Sequence, residues 1–357
     1  MRDPGKKKFY LIATDLRIES GCGWEKAQYE GSRDLIVWES EDLVHWSEER
    51  ACTVGIPEAG CVWAPEAVYD SGKEEFLVFW ASMVKAPADE EAKQRIYASW
   101  TKDFRQFSEP FVYMEREQHV IDSTIVENQG RYYRFTKDET NKCIILEESE
   151  SLTGTFRQIP SETLSGLLGV EGPECYLLPD GNTWCLIVDQ FAEEKGYLPV
   201  FTKDLGSGVL EIAQEGSYDL GTTKKRHGGV LVLEDEEYER LERYFDREYP
   251  VIEGLYADPD LISVNGPRMV LRTGPDRSSP YFPQTMERNS PVRLRCWILR
   301  RDRYRGRSEV PGHHVWLRKT ENFTSISAER EKTEFPVSEP QLRNTRRDRS
   351  LQCRSRC

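Results

Sequence analysis

Gly169-Val170-Glu171-Gly172-Pro173-Glu174 runs into Cys175-Tyr176-Leu177-Leu178, then Pro179-Asp180-Gly181, then Trp184-Cys185-Leu186-Ile187-Val188. The stretch reads as strand, glycine turn, strand. Pro173 fixes its own φ and disfavours helix at Gly172. Glu171 therefore stands on a stiff, extended approach to a strand. That suits a carboxyl group that must point at one bond of a substrate. Taken alone, the hexapeptide also fits a surface turn with two solvated glutamates, since Glu is usually exposed.

The same grammar recurs along the chain. Ala67-Val68-Tyr69-Asp70-Ser71-Gly72-Lys73 runs into Glu75-Phe76-Leu77-Val78-Phe79-Trp80, and Thr124–Gly130 runs into Arg131-Tyr132-Tyr133-Arg134-Phe135. A second phrase follows each time: a strand, a polar turn, a small or acidic residue, then Leu or Phe. It appears as Glu41-Asp42-Leu43 after Asp34–Ser40, and as Thr101-Lys102-Asp103-Phe104 after Arg95–Trp100. It returns as Ser151-Leu152-Thr153-Gly154 after Ile144-Ile145-Leu146, and as Thr202-Lys203-Asp204-Leu205 after Leu198–Phe201. The spacing is roughly 50–60 residues, the scale of propeller blades. Phe9–Thr14 is a short apolar run and predicts a buried strand. Helix signals are nearly absent until Glu234–Phe245, where Tyr238, Leu241 and Tyr244 stand at helical spacing. Residues 1–249 are therefore expected to form an all-β, radially repeated sheet domain. A two-sheet sandwich is the alternative, but it leaves the long period without a reason.

The net charge of −13 over 357 residues hides an asymmetry. Residues 266–357 carry a net charge of about +11, almost all from Arg, which leaves about −24 for residues 1–265. An acidic body disfavours nucleic acid as a partner, and a neutral polysaccharide is indifferent to it. Beyond Gly266 the alternation is lost and Arg runs such as Arg300-Arg301-Asp302-Arg303 appear. Residues 267–357 are expected to be an irregular, disordered or non-native tail; a basic nucleic-acid arm is the competing reading. His313-His314 lies in this tail and is not read as a metal site. The nine cysteines show no CxxC and no metal-ligand spacing, and their odd number argues against a disulfide framework. No apolar run is long enough to span a membrane. The charged start, Met1–Lys8, has no apolar region behind it, so no signal peptide is visible. Localisation stays open between a cytoplasmic enzyme and a shortened secreted one.

Four phrases together resemble glycoside hydrolase family 43, a family of five-bladed β-propeller arabinofuranosidases, xylosidases and arabinanases. They are Trp63-Ala64-Pro65-Glu66, Val120-Ile121-Asp122-Ser123-Thr124, Val170-Glu171-Gly172-Pro173 and Arg226-His227-Gly228. They come in order, one per blade, over about residues 1–245. The resemblance implies a five-bladed β-propeller. Its first blade is expected to be incomplete, because Gly5-Lys6-Lys7-Lys8 stands where an apolar strand should follow Arg2-Asp3-Pro4. Residues 250–266, with Ala257-Asp258-Pro259, resemble the start of a second, truncated unit of the same kind.

The chemistry implied is hydrolysis with inversion. A general acid protonates the leaving oxygen, and a general base activates water from the other side. A third carboxylate near the acid raises its pKa by like-charge repulsion. By resemblance Glu171 is the acid, Asp122 its pKa-raising partner and Asp3 the base. A second hypothesis gives the base to Asp258, on a strand that closes the ring in place of the missing one. Arg226 and His227 are expected at the substrate, with a hydrated structural calcium near His227 and no cofactor required. Trp63, Trp80 and Trp24 are candidates for stacking on a sugar ring, although aromatics also dominate such cores. Asp15, Asp34 and Asp189, at strand ends, are candidates for bonding sugar hydroxyls. The expected partner is an arabinose- or xylose-containing oligo- or polysaccharide. The competing classes are a carbohydrate-binding propeller that has lost turnover and a propeller scaffold for protein partners.

Overall fold

The computed structural model describes residues 1–5, 8–16, 18, 23–220, 224–245, 257–260, 268–272 and 296–299. The strands come in groups separated by turns. The first group is β1 (Phe9–Thr14), β2 (Asp34–Ser40) and β3 (Arg50–Thr53), with helix α1 (Gly23–Tyr29) between β1 and β2. The second is β4 (Trp63–Asp70), β5 (Glu75–Val84), β6 (Lys93–Thr101) and β7 (Phe111–Met114). The third is β8 (Val120–Asn128), β9 (Arg131–Asp138), β10 (Cys143–Ser149) and β11 (Arg157–Ile159). After helix α2 (Glu162–Gly166) comes the fourth: β12 (Glu171–Leu177), β13 (Trp184–Asp189), β14 (Tyr197–Thr202) and β15 (Glu211–Ile212). Then follow β16 (Val230–Leu233), α3 (Asp235–Phe245), β17 (Ala257–Asp260), β18 (Arg268–Arg272) and β19 (Cys296–Leu299).

Groups two, three and four are antiparallel meanders, each one sheet of four strands in sequence order. The first sheet also has four strands, in the order β17-β1-β2-β3. These four sheets are the blades of an all-β propeller. A three-stranded sheet, β16-β18-β19, stands beside them.

The recurring polar turn of the sequence lies between the third and fourth strand of each blade. Its hydroxyl residue accepts a backbone N–H from within the turn. Ser40 Oγ takes Leu43 N (2.8 Å), Thr101 Oγ1 takes Phe104 N (2.9 Å) and Thr202 Oγ1 takes Asp204 N (3.1 Å). The apolar residue that follows, Leu43, Phe104, Leu152 or Leu205, is buried. The sequence period is thus a repeated local device that folds one apolar side chain under each outer strand.

Cores form where adjacent sheets meet. Tyr10, Ile12 and Val37 of the first blade pack with Val78, Trp80 and Phe104 of the second. Leu77, Phe79 and Ile96 pack with Val120 and Ile125 of the third. Phe135 and Leu146 pack with Leu186 and Val200 of the fourth. Ile187 and Tyr197 pack with Val230 of β16. Leu231 and Leu233, with Tyr238 and Leu241 of α3, return to Leu11 and Trp38 of the first blade. Each fully buried large apolar side chain stabilises by roughly 2 kcal/mol. An exposed ion pair gives about 0–1 kcal/mol. The fold is therefore held by these contacts between blades.

Two expectations are corrected here. The first blade is not incomplete, because β17 pairs antiparallel with β1 (Ile12 with Asp260, Thr14 with Ala257). Residues 257–260 pair with β1 as the edge strand of the first sheet. The stretch 267–357 is not wholly irregular either, since β18 pairs with β16 and β19 with β18. The physical reason is the same in each case: an unpaired strand edge leaves backbone N–H and C=O groups without partners. The Arg runs at 300–305 and 346–349 and His313-His314 lie outside the described residues. Among the described residues, no helix is long and apolar enough to cross a membrane.

Candidate active site

The inner strands enter the centre in one repeated way. Trp63 and Glu66 of β4 face Ala81 and Phe79, so three steps on the inner strand match two on its neighbour. The same bulge separates Glu171 from Glu174 opposite Asp189 and Ile187. It lies between Ile121 and Ser123 in β8, and between Ala257 and Asp260 in β17. The bulged residue has a left-handed backbone: φ is +47° at Ala64, +49° at Asp122 and +51° at Gly172. Asp and Gly adopt this conformation more readily than other residues. By register, Asp258 occupies the same position in β17. A bulge re-aims the side chains around it. Here it marks the entrance of all four inner strands.

A second device ties each inner strand to the next. Glu66 Oε1 accepts the N–H of Ile125 (3.2 Å) and the hydroxyl of Thr124 (3.0 Å). Glu174 Oε1 accepts the N–H of Val230 (2.9 Å). Ile125 and Val230 stand at the same step of their strands, one residue past the position of Glu66 and Glu174. Thr14 Oγ1 accepts the N–H of Ala64 (3.0 Å), which links β1 to the entrance of β4.

These entrances surround an open cavity lined by Ala64, Glu66, Asp122, Gly172, Glu174 and His227, among others. Asp122 is buried, and its Oδ2 accepts the N–H of Gly172 (2.9 Å). Glu171 stands beside it with both oxygens engaged. Oε2 is 2.7 Å from Lys137 Nζ; Oε1 is 2.9 Å from His227 Nε2 and 3.2 Å from Arg226 NH2. Behind these cations stand further carboxylates. Glu139 Oε2 is 2.5 Å from Lys137 Nζ, and Asp189 Oδ2 is 2.7 Å from Arg226 Nε. The His227 ring lies against Gly172, where an added Cβ would come within 3.0 Å of Nδ1. Glycine is favoured there, since a side chain would be strained by φ and crowded by the ring.

The electrostatics follow from this wiring. Burial raises the pKa of Glu171, but the His227 bond and charge, then Lys137, outweigh it and hold the carboxyl well below the usual range. Burial lowers the pKa of Lys137, yet Asp122, Glu171 and Glu139 together keep it above the ordinary lysine value. Burial raises the pKa of Asp189 against the opposing charges of His227 and Arg226.

Asp122, Glu171 and His227 each bring one donor atom within 4.8 Å of the others. Calcium takes roughly six to eight oxygen ligands. This set offers two carboxylates and an imidazole, and Lys137 and Arg226 already neutralise Glu171. The set does not suit calcium.

Of the residues singled out in the sequence, Asp122, Glu171, Arg226 and His227 come together. Asp189 is wholly buried behind Arg226, whose Nε it accepts from. Asp3 is elsewhere. Its N–H bonds Lys8 O, and its Oδ1 accepts from Gly5 N. After burial, its charge is the next cause that raises Tyr10, pushed up to about 12, and Tyr69. Tyr69 is five residues along β4 from Ala64, on the order of 15 Å at the usual strand rise. Trp80 is a core residue at 1 % exposure and presents no face to a sugar. Trp63 is half-buried and meets the exposed Trp24 edge-on, with centroids 6.2 Å apart. Asp34 Oδ1 accepts from Thr53 Oγ1 within the first blade, and Asp15 is half-buried just past β1.

The sequence model of the family-43-related glycosyl hydrolases, described as a probable glycosyl hydrolase domain, matches residues 1–239. The chain belongs to this family. A curated relative, the α-L-arabinofuranosidase of Bifidobacterium longum subsp. longum, is 33% identical over 228 residues, covering 52% of this chain and 21% of the relative. The chain thus spans about a fifth of that relative's length. Among solved structures, the catalytic domain of a family 62 α-L-arabinofuranosidase from Coprinopsis cinerea is 12% identical, with a TM-score of 0.46 over 83% of this chain and 88% of that one. An exo-β-1,3-galactanase from Clostridium thermocellum is 14% identical, with a TM-score of 0.44 over 75% of this chain and 52% of that one.

In this glycosyl hydrolase domain the sequence reading passed over Lys137 and Glu139. One signal was visible. Lys137 continues the face of β9 that carries Tyr133 and Phe135, and a lysine on a buried strand face needs carboxylate partners.

Proposed function

We propose that the domain is an inverting glycosidase acting on α-L-arabinofuranosyl or β-D-xylosyl linkages of plant cell-wall fragments. The observation that carries this reading is the pairing of Asp122, which lines the cavity, with Glu171, within a glycosyl hydrolase family domain. Glu171 gives its proton to the glycosidic oxygen as the bond from that oxygen to the anomeric carbon breaks. Water attacks the anomeric carbon from the opposite face, and its proton passes to a base. Asp122 acts on Glu171 by charge and on its backbone through Gly172. Asp258 is the base favoured by register, because its place in β17 matches that of Asp122 in β8. Asp3 lies toward the other end of β4. Arg226 and His227 orient Glu171 and the sugar. Trp63 and Trp24 form the aromatic rim. The sheet β16-β18-β19 counts as the fifth blade, and no metal is assigned a part.

One observation favours a second reading. Lys137 and Arg226, with the His227 ring, hold Glu171 as a carboxylate, the wrong state for a proton donor, and a site fixed in that state would bind sugars without cleaving them.

The test is hydrolysis of aryl α-L-arabinofuranoside and aryl β-D-xyloside by the purified chain and by Glu171→Ala. Turnover that disappears in the variant supports the glycosidase, and the better glycoside names the sugar. Calorimetric binding of arabino- or xylo-oligosaccharides by a folded parent without turnover selects the binding propeller.

A further inference from the structure

Glu171 is held from two sides by groups with different anchors. Its Oε1 faces Arg226 and His227, and His227 also lines the cavity. Its Oε2 faces only Lys137 among the contacts described, at 2.7 Å. The Lys137 side chain is 3 % exposed, and its ammonium lies 4.5 Å from the ring centre of Phe191. That ring closes one side of the ammonium from water. Glu139 Oε2 stands beside it as a second ion-pair partner, and the negative charge of Asp122 acts on it as well. An ammonium so placed has one fixed site, between the acid and its partner carboxylate.

We propose that Lys137 is a positioning residue for Glu171, fixing its Oε2 so that Oε1 is the oxygen presented to the leaving group. The proposal rests on the reading of Glu171 as the acid. The groups facing Glu171 are Lys137 and Glu139 from the end of β9, Asp122 from β8, Asp189 from the end of β13, and Arg226 and His227 before β16. Among them Lys137 is the buried permanent cation, so it opposes the protonated acid that turnover requires. Arg226 and His227 meet the oxygen that a substrate approaches, and a sugar can displace them. Lys137 lies on the other oxygen and stays. It therefore limits how far up the pH scale Glu171 keeps its proton.

The test uses the full chain with Lys137→Met and Lys137→Arg. The titration of Glu171 is followed by carbon NMR of labelled glutamate, assigned by difference from Glu171→Gln. The alkaline limb of kcat/KM against pH is measured on an aryl glycoside. In Lys137→Met, both the titration and the limb should move up by about one pH unit or more, the size expected for loss of a close opposite charge. In Lys137→Arg, both should stay near the parent. If the Met variant does not fold, Lys137→Gln removes the charge and keeps a donor, with the same expectation. A folded, charge-free variant with an unmoved Glu171 titration overturns the proposal. If the parent has no turnover, the glycosidase reading fails by itself. The NMR titration then still decides whether Lys137 governs Glu171.

Discussion

The carboxylate of Asp122 accepts the backbone N–H of Gly172 at 2.9 Å, joining two inner strands at their bulged residues. Asp122 thereby serves two ends, a charge beside Glu171 and an anchor for the residue after it. Substitutions separate the two. Asp122→Asn keeps an acceptor oxygen and tolerates the positive φ of 49°. It should fold like the parent and lose about 10²-fold in kcat, the lower end of the range for acid–base groups. Asp122→Ala loses the anchor too and should cost about 1 kcal/mol of stability by leaving a part-buried N–H unpaired. Rates on an aryl glycoside and urea unfolding give both numbers. A kcat unchanged in Asp122→Asn would remove this residue from the chemistry.

The pairing of Thr14 with Ala257 and of Ile12 with Asp260 makes the first blade depend on a strand far along the chain. Met1 and Asp3 already cover the start of the same edge, through Tyr10 N to Met1 O (2.9 Å) and Asp3 N to Lys8 O (2.8 Å). They leave the end near Thr14 to β17. Deleting residues 257–260 should lower the Tm by about 5 °C or more, as loss of ~2 kcal/mol does in a domain of this size. The amides of Ile12 and Thr14 should lose hydrogen-exchange protection. Asp258→Asn should leave the Tm in place and remove turnover, and Asp3→Asn should leave both. An unaltered Tm in the deletion would show that the first blade closes without β17.

Glu174 and Val230 repeat the relationship of Glu66 and Ile125 two steps around the ring. Both glutamates are buried, so each accepts a backbone N–H that water does not reach. Glu174→Ala should cost about 2–3 kcal/mol, the penalty for a stranded buried donor, and Glu174→Gln less because an oxygen remains. Urea midpoints at pH 7 measure the difference. Equal midpoints for Ala and Gln would mean that Val230 finds another acceptor.

The periodic parts of this fold were legible because they are local. The turn device at Ser40, Thr101 and Thr202 is written within four residues, and the α3 face is written by Tyr238 and Leu241. Glu171 and Asp122 were legible through the proline and the acidic residue at their strand entrances. The cage around Glu171 was not, because Lys137 is 34 residues away in sequence and its role exists only once β9 lies beside β12. Arg2-Asp3-Pro4 was legible as a phrase, while its place beside Lys8, away from the entrance of β4, follows from strand pairing. The bulge shared by Ala257–Asp260 and Glu171–Glu174 is a property of register, and register is set by the partner strand.

Glu171 and Asp189 should pull stability in opposite directions with pH. The carboxyl of Glu171 is held below its ordinary value of 4.5, since His227 and Lys137 overcome burial. Its contribution is therefore fully present above about pH 4.5 and is lost as pH falls toward its folded-state value. Burial raises Asp189 above its ordinary value of 3.8. Its contribution is present below that value and is lost as pH rises through the folded-state value. Glu171→Gln should cost about 3 kcal/mol near pH 7, the cost of breaking a buried ion pair from one side. That cost should shrink steadily below pH 4.5. Asp189→Asn should do the reverse, with its stability relative to the parent improving as pH rises from 3 to 7. Urea unfolding of the three proteins between pH 3 and 7 reads both slopes. A Glu171→Gln curve parallel to the parent's would mean that the cations around Glu171 do not hold it ionised, and the resting site would then already carry the proton that hydrolysis needs.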